Sequence, residues 1–220
     1  MLLCIADLLE PAACAEARTL LAQARFVDGK ATAGWHARLV KDNRQADAGD
    51  RSLDGLRALL KERLLAHPLF QLAARPKALS PLLLSRYEPG MAYGRHVDDA
   101  LIGGQRSDVS FTLFLSEPES YEGGELVIEG SGGEQAIRLP AGALVCYPST
   151  TLHRVEPVRR GVRLAAVGWA RSFIRSAEQR EILFDLDTAR RDLFQREGKS
   201  EAFDLLSKSA ANLLRLWAED

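Results

Sequence analysis

Val109-Ser-Phe-Thr-Leu-Phe-Leu115, then Ser-Glu-Pro-Glu-Ser, then Tyr121-Glu-Gly-Gly-Glu-Leu126-Val-Ile-Glu129 is the stretch that decides the fold. Two runs rich in β-branched and aromatic residues flank a Pro and Gly punctuated turn, the pattern of adjacent strands rather than of a helix. The same grammar extends in both directions. It predicts strands near 82–87, 93–97, 109–115, 125–129, 136–139, 143–147, 153–156 and 162–171. Short strands without intervening helices exclude a parallel βαβ sheet and point to a sandwich or double-sheet jelly roll.

Helical patterns flank this β-rich centre. Pro11 to about Ala24 suits a helix with Pro in its first turn, broken at Asp28-Gly29. Leu53, Leu56, Leu60 and Leu64 recur at helical spacing from Ser52 to about Ala66, with Pro68 as the stop. After Ser176 the helical period returns, and Phe203, Leu206, Ala210, Leu213 and Trp217 share one face. That face is expected to pack on the barrel or, as the alternative, to make a homo-oligomer through the C-terminal helix. The fold class is therefore α+β: a double-stranded β-helix (jelly roll) core with flanking N-terminal helices and a C-terminal helical extension. The division is 1–79 for an N-terminal region of helices and strands, 80–175 for the jelly roll and 176–220 for the extension.

The 220 residues are 46% hydrophobic, and 29 Lys plus Arg balance 30 Asp plus Glu, so no bulk field draws in polyanions. No nucleic-acid partner is expected. The N-terminal MLLCIADLLEP has no basic segment and only a short apolar run, so it does not read as a signal peptide, and no stretch reaches membrane-spanning length. Cys4, Cys14 and Cys146 are odd in number and widely spaced. They suggest neither a disulfide framework nor a zinc knuckle, and a cytoplasmic location is the expectation.

Within Tyr93-Gly-Arg-His-Val-Asp-Asp99, His96 and Asp98 lie two apart, so on an extended segment both side chains point to one side and Asp99 to the other. A second imidazole from a distant strand would complete a two-His-one-carboxylate facial triad, which suits iron(II) and leaves the opposite coordination face open. Of the remaining histidines, His153 opens a strand of the β-rich region, whereas His36 precedes that region and His67 sits beside Pro68 at a helix end. Arg163 follows ten residues after His153, on the next strand, where a planar guanidinium can grip a dicarboxylate with two parallel hydrogen bonds. Arg159 and Arg160, beside Gly161, read as solvated surface residues. Trp35, Trp169 and Trp217 read as core or rim aromatics rather than substrate platforms.

The ordered series Tyr87-Glu-Pro-Gly-Met-Ala-Tyr93-Gly-Arg-His96-Val-Asp98, Ser110 to Leu115, Tyr121 to Leu126, and Leu139-Pro-Ala-Gly through Tyr147-Pro-Ser to His153 resembles the iron/2-oxoglutarate hydroxylases of the prolyl/lysyl hydroxylase-domain class. The bacterial PKHD-type hydroxylases are the nearest likeness, and Phe-Val-Asp-Gly-Lys near 26–30 and Trp169 to Arg180 extend it into the flanks. The resemblance implies that His96, Asp98 and His153 bind Fe(2+) and that Arg163 binds the distal carboxylate of 2-oxoglutarate. It also implies that Tyr87 hydrogen-bonds this co-substrate and that L-ascorbate keeps the metal reduced. Where relatives carry a second co-substrate tyrosine this chain has Phe111 and Phe114, leaving Ser110 or Thr112 as substitutes. The implied reaction couples dioxygen and 2-oxoglutarate to hydroxylation of a peptidyl Pro or Lys, a free amino acid or a siderophore-like metabolite, with a link to iron homeostasis.

Three alternatives stay open on the residues alone. A non-catalytic metal-binding jelly roll would more often use four ligands including cysteine. A nucleic-acid dealkylating dioxygenase typically has a second Arg six residues beyond the first, where this chain has Trp169. A zinc hydrolase could use the same triad but gives Arg163 no task.

Overall fold

The computed structural model describes residues 1–219. Two antiparallel sheets carry the core. The larger, of 8 strands, runs in the order Leu3–Ile5, Leu144–Pro148, Val109–Phe114, Arg163–Ser172, Leu83–Tyr87, Arg44–Ala46, Phe26–Asp28, with Pro76–Leu79 also pairing Arg163–Ser172. The smaller, of 5 strands, runs Gly133–Ile137, Leu126–Gly130, His153–Val155, Ala92–His96, Lys41–Asp42. The chain belongs to the jelly-roll architecture read from the sequence, and every strand predicted between 82 and 171 is present with ends shifted by a few residues. The Gly133–Ile137 strand differs most, starting three residues early because it pairs with Leu126–Gly130 across a tight hairpin.

Alternation divides the large sheet into two working faces. Along Val109–Phe114 every residue is buried. Val109, Phe111 and Leu113 join a cluster with the helices, whereas Phe114 joins a second cluster between the sheets. Arg163–Ser172 repeats the pattern. Leu164, Ala166 and Ala170 face the helices, while Arg163, Val167 and Trp169 line the cavity on the other side. A strand buried on both faces reads as a nearly continuous apolar run, and the polar residues within it mark the functional face.

Three helices form the layer behind the large sheet: α1 (Pro11–Gln23), α2 (Asp54–Ala66) and α3 (Pro68–Ala74). Leu56, Leu60 and Leu64 bury one α2 stripe, as their spacing requires. Pro68 does stop α2, yet it also opens α3, because its fixed φ and missing N–H suit a first helical position. Phe70 of α3 is fully buried and meets Phe111 edge-to-face at 5.5 Å, tying the helical layer to the sheet. Phe70→Ala is expected to cost about 3–5 kcal/mol through the lost burial and the cavity left behind, read as a lowered midpoint in urea unfolding with the slope unchanged.

Beyond the sheets, α4 (Ala177–Glu197) starts at Ser176, whose Oγ accepts from the Gln179 N–H at 3.1 Å. Gly198 turns the chain with φ +68°, and α5 (Glu201–Trp217) starts at Ser200 in the same manner. α5 folds back on α4, where Phe194 and Phe203 meet at 5.0 Å, while α4 itself packs on α3. The apolar face of the last helix is thus directed at its neighbouring helix rather than at the barrel. No helix of the described residues is long and apolar enough to cross a membrane.

Candidate metal centre and cavity

Strand register brings the two imidazoles together. His153 pairs directly with His96 across the small sheet, and their ring centroids lie 4.2 Å apart. The Ala92–His96 strand ends at His96, so Asp98 lies just beyond it and not on the extended segment that the sequence suggested. A hydrogen bond holds it there instead: Ser110 Oγ, on the large sheet, donates to Asp98 Oδ2 at 2.5 Å, and Ser149 Oγ lies 2.8 Å from Ser110 Oγ. His96 Nε2 stands 4.0 Å from Asp98 Oδ1 and His153 Nε2 3.9 Å from Asp98 Oδ2. One donor atom from each of the three residues lies within 4.8 Å of the others, a grouping that can hold a metal ion.

Both imidazoles are prepared for that task. His96 Nδ1 lies 2.8 Å from the Gly94 carbonyl and His153 Nδ1 3.0 Å from the Thr151 carbonyl. A carbonyl can only accept, so each Nδ1 carries a proton, and in the neutral ring this leaves the Nε2 lone pair facing Asp98. Burial, reinforced by the neighbouring His153, pushes His96 down to about 4, so it is neutral at pH 7 as a ligand must be. Tyr93 stacks on His96 at 3.6 Å and 17°, fixing the ring plane.

The triad opens into a cavity of about 490 Å³ between the sheets, within the roughly 300–1,000 Å³ of small-molecule sites. Arg163 forms its floor. It is 1% exposed, its Nε has no hydrogen-bond partner, and no described carboxylate lies within ion-pairing distance of it. The guanidinium is framed by the Tyr87 and Phe114 rings, each 5.3 Å from Cζ. Tyr87 pairs with Arg163 across the sheet, and burial pushes its phenol up. The Gly123-Gly124 pair has a second purpose besides turning the chain. Gly124 has φ +67°, and a Cβ there would lie 3.0 Å from Arg163 Cδ, so the arginine stem runs against bare backbone.

The sequence-derived candidates His96, Asp98, His153, Arg163 and Tyr87 all line this one cavity. His36 and His67 do not line it. Ser110 is engaged on Asp98, Phe114 faces Arg163, and Thr112 lines the cavity. Trp169 also lines it, with a buried Nε1–H that has no partner, whereas Trp35, expected in core or rim, is 80% exposed. Sequence reasoning missed a polar part of the lining, made by Thr32, Lys41, Asn43 and Gln45. The signal was present as Lys41-Asp-Asn43-Arg-Gln45, a period-2 pattern in which the inward residues are polar. Asn43 packs over Gly29, where an added Cβ would meet Asn43 Oδ1. That contact explains the glycine of Phe-Val-Asp-Gly-Lys.

Ser110→Ala is expected to lower metal affinity roughly 10–100-fold, the usual cost of losing a group that orients a ligand. Titration of iron(II) into the anaerobic apoprotein checks it.

Comparison with known proteins agrees with this geometry. Residues 82–171 match the model of the 2OG-Fe(II) oxygenase superfamily, and residues 178–219 match that of the PKHD-type hydroxylase C-terminal domain. A PKHD-type hydroxylase of Picosynechococcus sp. is 58% identical over 215 residues, covering 98% of each chain. One from Gloeothece citriformis is 55% identical over the whole of both. Among solved structures, a Pseudomonas putida prolyl-4-hydroxylase superposes with TM-score 0.55 at 24% identity, covering 78% of this chain and 92% of that one. A Trichoplax adhaerens prolyl hydroxylase bound to a hypoxia inducible factor oxygen degradation domain peptide fragment gives 0.58 at 16%, covering 83% and 86%. Similarity at this level over the full length of the relatives settles the family: the chain belongs to the PKHD-type hydroxylases and is an oxygenase of the 2OG-Fe(II) superfamily.

Proposed function

We propose that His96, Asp98 and His153 bind Fe(2+), that Arg163 holds the distal carboxylate of 2-oxoglutarate with Tyr87 beside it, and that the enzyme hydroxylates a C–H bond of a substrate admitted to the same cavity. The observation that carries this reading is Arg163: a fully buried guanidinium with no carboxylate partner among the described residues, lining the cavity that the triad shares. An unpaired buried charge is costly, and a carboxylate from a ligand relieves that cost with paired hydrogen bonds. The residues fit the metal equally well, since two imidazoles and one carboxylate present their donors together at the cavity.

When bound, the iron supplies the oxidative chemistry, coupling dioxygen and decarboxylation of 2-oxoglutarate to C–H hydroxylation. The chain supplies the rest. Gly94 and Thr151 carbonyls fix the imidazole tautomers, and Ser110 with Ser149 orients the carboxylate. Arg163 fixes one end of the co-substrate at a distance from the metal that the sheet sets, and the apolar walls formed by Leu126, Val155 and Val167 exclude water.

Aerobic incubation of the protein with iron(II), 2-oxoglutarate and L-ascorbate as reductant is expected to release succinate slowly even without a prime substrate. Anaerobic addition of 2-oxoglutarate should give a visible charge-transfer band. Succinate no higher than in a His96→Ala control, together with no band, would count decisively against the proposal.

A further inference from the structure

Lys41 is a second buried cation of the cavity and, like Arg163, has no carboxylate partner among the described residues. It is 4% exposed. Its Nζ donates to Thr32 Oγ1 at 3.0 Å and stands 4.9 Å above the Tyr93 ring, and no described carboxylate lies within ion-pairing distance. An ammonium carries three N–H donors, and one neutral hydroxyl uses only one of them. Burial pulls it down to about 8, with Asp98 and Asp28 opposing, so it is still protonated at neutral pH. Of these two acids, Asp98 has its charge committed to the metal in the function proposed above.

The surroundings of Lys41 form a polar wall. Lys41, Asn43 and Gln45 take alternate positions where the chain passes from the edge strand of the small sheet to the Arg44–Ala46 strand of the large one. All three are buried and line the cavity. Among the described residues neither amide atom of Asn43 makes a hydrogen bond of good geometry, although the Tyr87 phenol lies beside it, and Nε1 of Trp169 has no partner. Thr32 Oγ1 bridges the wall, 2.7 Å from Gln45 Oε1. Buried polar groups without partners are rare in folded proteins, and a group of them around one cavity implies a ligand that satisfies them.

Resting on the proposed function, which gives the distal carboxylate of 2-oxoglutarate to Arg163 and leaves Lys41 without a task, we infer that Lys41 binds a carboxylate of the prime substrate. That substrate is then a small carboxylate-bearing molecule, with Asn43 and the Trp169 indole N–H available for its remaining polar groups. Lys41 becomes a specificity-determining residue of the hydroxylation.

Two measurements test this. In the first, a small-molecule extract of bacterial cells is divided, and the carboxylates in one half are blocked by methyl esterification. Each half is incubated with the iron- and 2-oxoglutarate-loaded enzyme, and products heavier by one oxygen are found by mass spectrometry. Such products are expected from the untreated half alone, and Lys41→Met should lower product formed per succinate at least about tenfold, with Lys41→Arg recovering part of it. Product from the esterified half, no product from either half while succinate is released, or an unchanged ratio in Lys41→Met overturns the inference. So does a rise in the 2-oxoglutarate requirement of Lys41→Met matching that of Arg163→Ala, which would make Lys41 an anchor for the co-substrate. The second measurement needs no turnover. With saturating 2-oxoglutarate under anaerobic conditions, propionate is expected to raise the melting temperature more than propionamide at equal ionic strength, and Lys41→Met should erase the difference. Equal shifts in the wild-type protein overturn the inference, whereas absence of all succinate from the wild-type protein with a retained propionate effect would fault the proposed function instead.

Discussion

Asp98→Ala is expected to reduce metal affinity by more than roughly 100-fold and to bring succinate formation down to the level of the metal-free protein. Asp98 is the anionic member of the triad, and its two oxygens face the two Nε2 atoms at 4.0 and 3.9 Å. Its removal takes away the negative charge that offsets a dication and leaves the Ser110 hydroxyl without its acceptor. Asp98→Asn separates these effects. The amide keeps one oxygen for Ser110 but loses the charge, so the melting temperature should stay near wild type while iron(II) titration still shows most of the loss. Near-normal iron affinity in both variants would remove Asp98 from the metal site. A collapsed fold in Asp98→Asn would mean that the carboxylate is structural.

Arg163→Ala is expected to raise the 2-oxoglutarate concentration for half-maximal succinate formation roughly 100-fold or more, with iron affinity close to normal. A buried, hydrogen-bonded charge pair that loses one partner costs about 2–5 kcal/mol, and 1.4 kcal/mol is tenfold, so a hundredfold lies inside the range. Arg163→Lys keeps the charge but not the planar fork and should recover only part of the affinity. The variant protein itself has a distinctive expectation. Because Arg163 has no carboxylate partner among the described residues, its removal breaks no ion pair there, so Arg163→Ala should not carry the several kcal/mol of destabilisation usual for breaking a buried ion pair. Denaturant unfolding without ligands checks this. A large loss of stability would place the guanidinium in a structural role, and a joint loss of iron binding would contradict the assignment.

The central strands were legible because their side chains must satisfy two buried faces at once. Val109 to Leu115 and Leu164 to Trp169 are strongly apolar, and Gly and Pro mark their ends. His96 and His153 could be matched because each sits at the end of a strand whose neighbour is set by register. Asp98 reaches the imidazoles in a different way from the one its spacing suggests: the extended backbone stops at His96, and a serine from the other sheet, not strand geometry, holds the carboxylate near them. Contacts between distant serines leave no local periodicity to read. The Lys41–Asp42 and Arg44–Ala46 strands were hidden for another reason. They are two and three residues long and polar, and their conformation comes from docking on sheet edges rather than from propensity. Arg163 followed from its ten-residue step after His153, but the absence of an ion-pairing carboxylate among the described residues is a property of the folded neighbourhood alone.

The unbroken strand Arg163–Ser172 acts as a ruler. Arg163 and Trp169 stand on one face of it, six residues apart, which at about 3.3 Å per residue spans about 20 Å of rigid backbone. Both neighbouring strands hydrogen-bond to this span, so it cannot lengthen or slip without breaking the large sheet. The lining from Thr32 to Gln45 is made of short strands and turns. A hydroxylase built this way can change what its cavity admits by altering that segment, while the distance from Arg163 to Trp169 stays constant.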